Sequence, residues 1–374
     1  MKRVLIILML LSLLMPAALA ETALVPDYYA PVNPSLTKFD MTGDLSFPML
    51  SQYMTANEIW HAQNAFYGEN SVLLARYDKW GAPRDAVTLK GLPGTDHEVM
   101  CMTRVGDRLL VGMRNLYLRG TVIALDETNR EVFQVTLAEG VGIMSMQAAP
   151  EGILCSGFTG KGTNTCFYLA LIDAEGNVVF ENTDIARDAD FDMGALAESV
   201  SCAGENGYYA TVCERTGGGL FSRERTLVGF DKTGTQRWEE RLSDSIEVEG
   251  MTAAGGLVYL YGCYGDQDEY GIRDVYQAWV GAWNEDGECL WQRIFETPEK
   301  FGRATADEAA CYLTGGGITP MYMAVVYATG DMRSMYRLQF PDNVCGTGLS
   351  TDAGTLIMSG YLYGEERLFY MEQR

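Results

Sequence analysis

Short apolar runs in this chain end again and again in a turn-like tetrad, at intervals averaging roughly 48 residues. The tetrads are Asp40-Met-Thr-Gly43, Asp78-Lys-Trp-Gly81, Asp126-Glu-Thr-Asn129, Asp173-Ala-Glu-Gly176, Asp231-Lys-Thr-Gly234, Asn284-Glu-Asp-Gly287 and Tyr327-Ala-Thr-Gly330. Asp or Asn in first place accepts hydrogen bonds from the backbone just ahead of it, and Gly or Asn in fourth place tolerates a left-handed conformation. Each tetrad therefore predicts a tight hairpin. Seven residues beyond the first position stands Phe47, Phe133, Phe180, Trp238 or Trp291, with Asp85 and Ser334 as the exceptions. A large ring at one fixed place on successive strands suits packing between neighbouring sheets better than a ligand cage.

Three further strand-like runs precede each tetrad. In one unit they are residues 99–104, 108–113 and 121–125, followed by 131–137; the next repeats the plan with 143–148, 152–156, 166–172 and 177–181. Four strands per unit is the blade of a β-propeller. The expected fold is thus all-β, a seven-bladed β-propeller of four-stranded antiparallel blades. The last unit supplies strands at 348–350, 355–360 and 367–371 but lacks a fourth, while 45–50 reads as an outer strand with no blade before it. Pairing the two would close the ring with an N-terminal strand in the last blade and remove two open sheet edges. The only helical turn expected after the leader lies near 193–198.

Lys2 and Arg3, the apolar run from Val4 to Leu14, Pro16 and the small-residue end Ala18-Leu19-Ala20 predict a secretory signal peptide cut before Glu21. The expected organisation is a signal peptide at 1–20, an N-terminal extension at 21–35 and a single propeller domain at 36–374. The apolar run is too short to span a bilayer, and no later run approaches the roughly 18 residues a membrane helix needs. No cysteine follows it closely, so the expectation is a secreted or extracytoplasmic protein without membrane insertion or lipid anchor. A net charge of -22 repels phosphate backbones and argues against nucleic acid. The nine cysteines include no CxxC spacing, and most sit in apolar runs, where a thiol behaves as a small hydrophobe. A disulfide between Cys155 and Cys166 across the turn at Gly160 and Gly162 is conceivable, with strand register deciding.

The run Val228-Gly-Phe-Asp231-Lys-Thr-Gly234-Thr-Gln-Arg-Trp238 resembles the tryptophan-docking repeats of the quinoprotein-like (PQQ-like) propeller superfamily, akin at fold level to WD-repeat propellers. The resemblance covers most of the mature chain and implies the fold. The spacing from Asp to Gly is one residue shorter here, and two repeats carry Trp. Several quinoprotein dehydrogenases hold their cofactor beside an adjacent cysteine pair, which this chain lacks, so no cofactor is expected.

The tetrads and the links between first and second strands are short and belong to one face. The opposite face receives long links at 185–197, 214–225, 264–277 and 315–320, and function on rigid scaffolds concentrates on such loops. Two acidic runs lie there. Asp188, Asp190 and Asp192 alternate as calcium ligands do, but Gly194 comes one place late and Ser199 replaces the twelfth-position Glu. Asp266 and Asp268 precede Glu269, Tyr270 and Gly271, with Gln277 in last place. Both read as solvated acidic loops, with calcium as the alternative ligand. His61 and His97 are the only histidines, too few for a multi-histidine metal centre, and no HExxH or GxSxG segment occurs. The Gly-rich stretch at 216–219 reads as a flexible connection. The leading expectation is a monomeric, non-catalytic binding or scaffold propeller that holds a protein, peptide or glycan on its long-loop face. The alternative is a carbohydrate-active enzyme with carboxylates converging at the axis. In either case Tyr264, Asp266, Asp268, Tyr270, Arg273 and Trp279 are the candidate ligand-binding residues. A third reading is a purely structural or sensor module without a small ligand.

Overall fold

The computed structural model describes residues 22–24, 28–31, 52–55, 58–64, 70–78, 82–115, 119–161, 164–183, 185, 189–190, 199–215, 223–265, 277–295, 300–315, 321–338, 344–352, 355–362 and 365–372. In chain order the strands are β1 (Thr22–Leu24), β2 (Tyr28–Pro31), β3 (Gln52–Met54), β4 (Glu58–Gln63), β5 (Val72–Asp78), β6 (Pro83–Leu89), β7 (His97–Val105), β8 (Arg108–Asn115), β9 (Gly120–Leu125) and β10 (Glu131–Thr136). Then come β11 (Val141–Ala149), β12 (Gly152–Lys161), β13 (Asn164–Ile172), β14 (Val178–Asn182), β15 (Ala189–Asp190), β16 (Ser201–Ala203), β17 (Tyr208–Arg215), β18 (Arg223–Phe230), β19 (Gln236–Arg241) and β20 (Ile246–Ala254). The remainder are β21 (Leu257–Tyr264), β22 (Gln277–Asn284), β23 (Cys289–Ile294), β24 (Phe301–Ala306), β25 (Ala310–Gly315), β26 (Met321–Tyr327), β27 (Met332–Leu338), β28 (Val344–Asp352), β29 (Thr355–Leu362) and β30 (Glu365–Glu372). The described residues contain no helix, and 191–198, with the expected helical turn, lie outside them.

These strands assemble into antiparallel sheets in simple meander order. Sheet one is β3 to β6, sheet two β7 to β10, sheet three β11 to β14 with β15 added on β13, sheet four β16 to β19 and sheet five β20 to β23. Sheet six is β24 to β27 with β1 lying parallel on β27, and sheet seven is β28 to β30 with β2 on β30. The first strand of each sheet touches that of the next, from β3 through β7, β11, β16, β20 and β24 to β28. Between successive sheets lie apolar layers, one for each step from sheet one to sheet six. The layer between sheets four and five holds Trp279 and Trp283, edge to face at 6.1 Å.

The tetrads are the hairpins between third and outer strands. The fourth residue takes φ of +62° at Asn129, +89° at Gly176, +81° at Gly234, +91° at Gly287 and +83° at Gly330. Its N–H donates to the carbonyl of the first residue in each, at 2.8–3.1 Å. The Asp231 carboxylate also accepts from Thr233 Oγ1 and from the Thr235 N–H at 3.0 Å, which holds its pKa below the usual range.

Why the ring residue and the glycine recur together is visible between sheets. Phe133 lies against Gly176 of the next tetrad, Phe180 against Gly234, Trp238 against Gly287 and Trp291 against Gly330, so close that a Cβ on any of these glycines would sit 2.5–2.8 Å from a ring atom. The indoles also donate to that tetrad, Trp238 Nε1 to the Glu285 carbonyl at 3.0 Å and Trp291 Nε1 to the Ala328 carbonyl at 2.9 Å. Sheet one has exposed Asp85 in the ring position, paired with Arg76, and the tetrad that follows carries Asn129 in place of Gly. Ring and glycine are a matched pair, and at the step from sheet one to sheet two both are missing.

Two expectations change. The strand beside β30 is Tyr28–Pro31, with Tyr29 opposite Phe369. Strand β29 fills the other edge of β30, so no edge is left for 45–50, which, with Phe47 and the Asp40 tetrad, lies outside the described residues. The segment expected as an extension thus contributes strands to sheets six and seven. Second, Cys155 faces Ala170 and Cys166 faces Thr159 along β12 and β13. That offset of four residues, about 13 Å at strand rise, forbids a disulfide, and both are free thiols.

Candidate functional site

Alternating strand direction places the links from second to third strands at the same end of every sheet as the links from each outer strand to the next first strand. The tetrads and first hairpins lie at the other end. The short-turn end is stitched from sheet to sheet. Lys232 in one tetrad bridges Glu151 in the first hairpin of the sheet before, at 2.9 Å, while Tyr208 Oη donates to the same carboxylate at 3.1 Å. Glu285 accepts from the Glu205 and Asn206 N–H groups at 2.8 and 3.3 Å. Those polar groups are consumed by architecture.

At the long-loop end the first strands are modified in a way the sequence did not announce. A bulge interrupts pairing between Val99 and Cys101, Ile143 and Ser145, Val248 and Gly250, Phe301 and Arg303, and Gly346 and Gly348. In sheets three, five and six the bulge drives a carbonyl of the first strand onto a glycine of the second. A Cβ would lie 1.9 Å from the Gly142 oxygen at Gly157, 2.0 Å from the Glu247 oxygen at Gly262 and 2.2 Å from the Lys300 oxygen at Gly315. The available signal was a glycine inside an otherwise apolar second strand. Bulges re-aim side chains, and here the extra residues are Met100, Met144, Glu249, Gly302 and Thr347.

Charged groups gather at these bulges. Arg114 Nε and Nη2 donate to Glu98 Oε2 at 3.1 and 3.0 Å, and Arg114 Nη1 lies 3.6 Å from Met144 Sδ on the next sheet. Glu249 pairs with Lys300 across sheets five and six. Burial pulls the Lys300 pKa down, but Glu249 and Glu247 outweigh it and hold the ammonium above its usual value. Beneath them, burial pushes the Tyr261 phenol up to about 12. His97, at the start of β7, is fully buried and neither ring nitrogen makes a well-formed hydrogen bond. Desolvation lowers its pKa, partly offset by the Gly94 backbone and Asp96. Asp96 itself has φ of +56°, and Gly91 and Gly94 have +71° and +98°, a tightly turned loop above sheet two.

Of the residues singled out in the sequence, Tyr264 is half-buried at the end of β21, opposite Ile246 and Gln277. Trp279 has no exposed surface and donates to Gln292 Oε1 at 3.1 Å. With both faces packed between sheets, it offers no platform to a sugar. Asp190 lies in β15, opposite Asn164. Asp188, Asp192, Asp266, Asp268, Tyr270 and Arg273 lie outside the described residues. Among the described residues no three His, Cys, Asp or Glu side chains converge as metal ligands.

No protein-family model matches the chain, and no curated protein matches it. Solved structures do. A polysaccharide lyase, Uly1, is similar at a TM-score of 0.58 and 9% identity, over 93% of this chain and 100% of that one. The Dos1 propeller gives 0.50 and 13% over 85% of this chain and 76% of that one. Acylaminoacyl peptidase of Pyrococcus horikoshii gives 0.52 and 13% over 86% of this chain, which spans 51% of the peptidase. At such identities the likeness shows the fold alone, a β-propeller.

Proposed function

We propose that this chain is an exported, seven-bladed β-propeller, closed by its amino-terminal strand, that binds a protein, peptide or glycan on its long-loop face without catalysis. The observation that carries this is the state of the charges at the bulges. Glu98 is held by Arg114 and Glu249 by Lys300. A general acid or base must be free to exchange its proton with substrate, whereas neutralised pairs on rigid strands form a polar recognition surface. The other end of sheets two to six is committed to inter-sheet stitching, which leaves the long links to meet a partner. Ring-on-glycine docking supports kinship with quinoprotein-like propellers in architecture, without their cofactor. The leader-like residues 1–20 support export.

A second reading, a carbohydrate-active enzyme, is favoured by the full-length overlap with the polysaccharide lyase. The two separate on a panel of immobilised glycans and peptides, probed with the mature chain and a variant whose residues 266–273 are replaced by Gly-Ser repeats of equal length. Binding to one class, lost in the loop variant and kept in Asp286→Ala on the opposite face, is expected. Release of a product from any polysaccharide would establish the enzyme instead, and no binding to any member would favour a structural module. Neither acidic run, 188–192 or 266–270, binds calcium in this reading; a rise in Tm on adding calcium, reversed by chelator, would overturn that.

A further inference from the structure

Docking of ring on glycine joins sheets two to six into one series, because Phe133, Phe180, Trp238 and Trp291 each seat on the tetrad of the following sheet. The series stops at both ends. Sheet one presents Asp85 instead of a ring, and is tied to sheet two by the pair of Arg104 with Glu58 at 2.8 Å. Sheet six presents Ser334 at the ring position. Sheet seven has no tetrad to receive a ring, since its outer strand is not reached by a hairpin after β30 but comes from residues 28–31. The same amino-terminal segment touches both sides of this undocked step. Thr22–Leu24 lies parallel on the outer strand of sheet six, with Thr22 opposite Tyr336 and Leu24 opposite Leu338. Four residues later the chain pairs with sheet seven, from Tyr28 opposite Tyr370 to Pro31 opposite Arg367.

We infer that β1 and β2 form a two-sheet clasp, a conformational device that holds sheet seven on the docked body and whose release frees that sheet first. The physical basis is additive. The outer strands of sheets three to six are fixed by a hairpin and by the ring of the preceding sheet, whereas the outer strand of sheet seven, Tyr28–Pro31, is joined to β30 by no hairpin. Bringing together segments so distant in sequence costs entropy that a tight hairpin avoids.

The inference rests on the closed ring proposed above. It is tested by native-state hydrogen exchange on the unaltered mature chain, then on Ala23→Pro/Ala30→Pro, which disrupts both clasp strands. Amides of β28, β29 and β30 are expected to exchange together with the clasp and at least tenfold faster than those of sheets three to five. The double variant should accelerate sheet seven alone, and a peptide of residues 21–35 added in trans to a chain lacking them should restore protection there. Equal protection in sheets seven and four of the unaltered chain, or acceleration of all sheets together in the variant, would overturn it. If Tyr29 and Phe369 prove to be adjacent but exchange is uniform, the clasp fails while the ring stands.

Discussion

Gly287 and Gly256 share a left-handed backbone, with φ of +91° and +73°, but differ in what surrounds them. Beside Gly287 the Trp238 ring leaves no room for a methyl group, whereas nothing lies within 4 Å of a Cβ at Gly256. Gly256→Ala should therefore cost about 1 kcal/mol from backbone strain alone. Gly287→Ala adds overpacking and should cost roughly 2–4 kcal/mol. Urea unfolding separates them, and equal losses would refute ring-on-glycine docking. His97 gives a prediction in pH. Its folded pKa is lowered, so the unfolded chain binds the proton more readily. The stability contributed by this buried neutral ring is complete above about pH 6.5 and is lost as pH falls from there toward the depressed folded value. Unfolding free energies of the wild type and His97→Asn should therefore converge or cross as pH falls from 7.5 to 5; parallel curves would contradict this. The turn residues were legible because each tetrad's chemistry is local. Trp279 was not, because proximity to an acidic loop suggested a ligand platform while the burial of β22 on both faces is a property of neighbouring sheets.

The first strands carry the second lesson. Their bulges require the second strand to yield space, and Gly262 does so against the Glu247 oxygen. Gly262→Ala must shift backbone in sheet five, and a loss of about 2 kcal/mol or more is expected, with weakened pairing of Glu249 to Lys300 on the neighbouring sheet. The check is a double-mutant cycle, in which Glu249→Gln should cost less in the Gly262→Ala background than in the wild type. Additive losses would show that the bulge does not aim Glu249. Strand order was readable from apolar runs and turns, since meander pairing joins sequence neighbours. The closing strand was not. Residues 45–50 carry the expected ring after a tetrad, yet 28–31 take the edge of β30, a choice between distant segments that no local pattern decides.

For the whole molecule, the two ends of the sheets divide the labour. Tetrads, rings and first hairpins interlock at one end of the sheets, and the other carries paired charges on bulged strands, where we propose that a partner binds. That division depends on the seven sheets forming a ring joined by the amino-terminal strand. Tyr29 and Phe369 face one another in that arrangement, close enough for a disulfide between antiparallel partners. The measurement is peptide mapping of Tyr29→Cys/Phe369→Cys under mild oxidation, with Phe47→Cys/Phe369→Cys beside it. A cross-link between positions 29 and 369, and none between 47 and 369, is the predicted result; no link at 29, or capture of 369 by 47, would contradict the ring we propose.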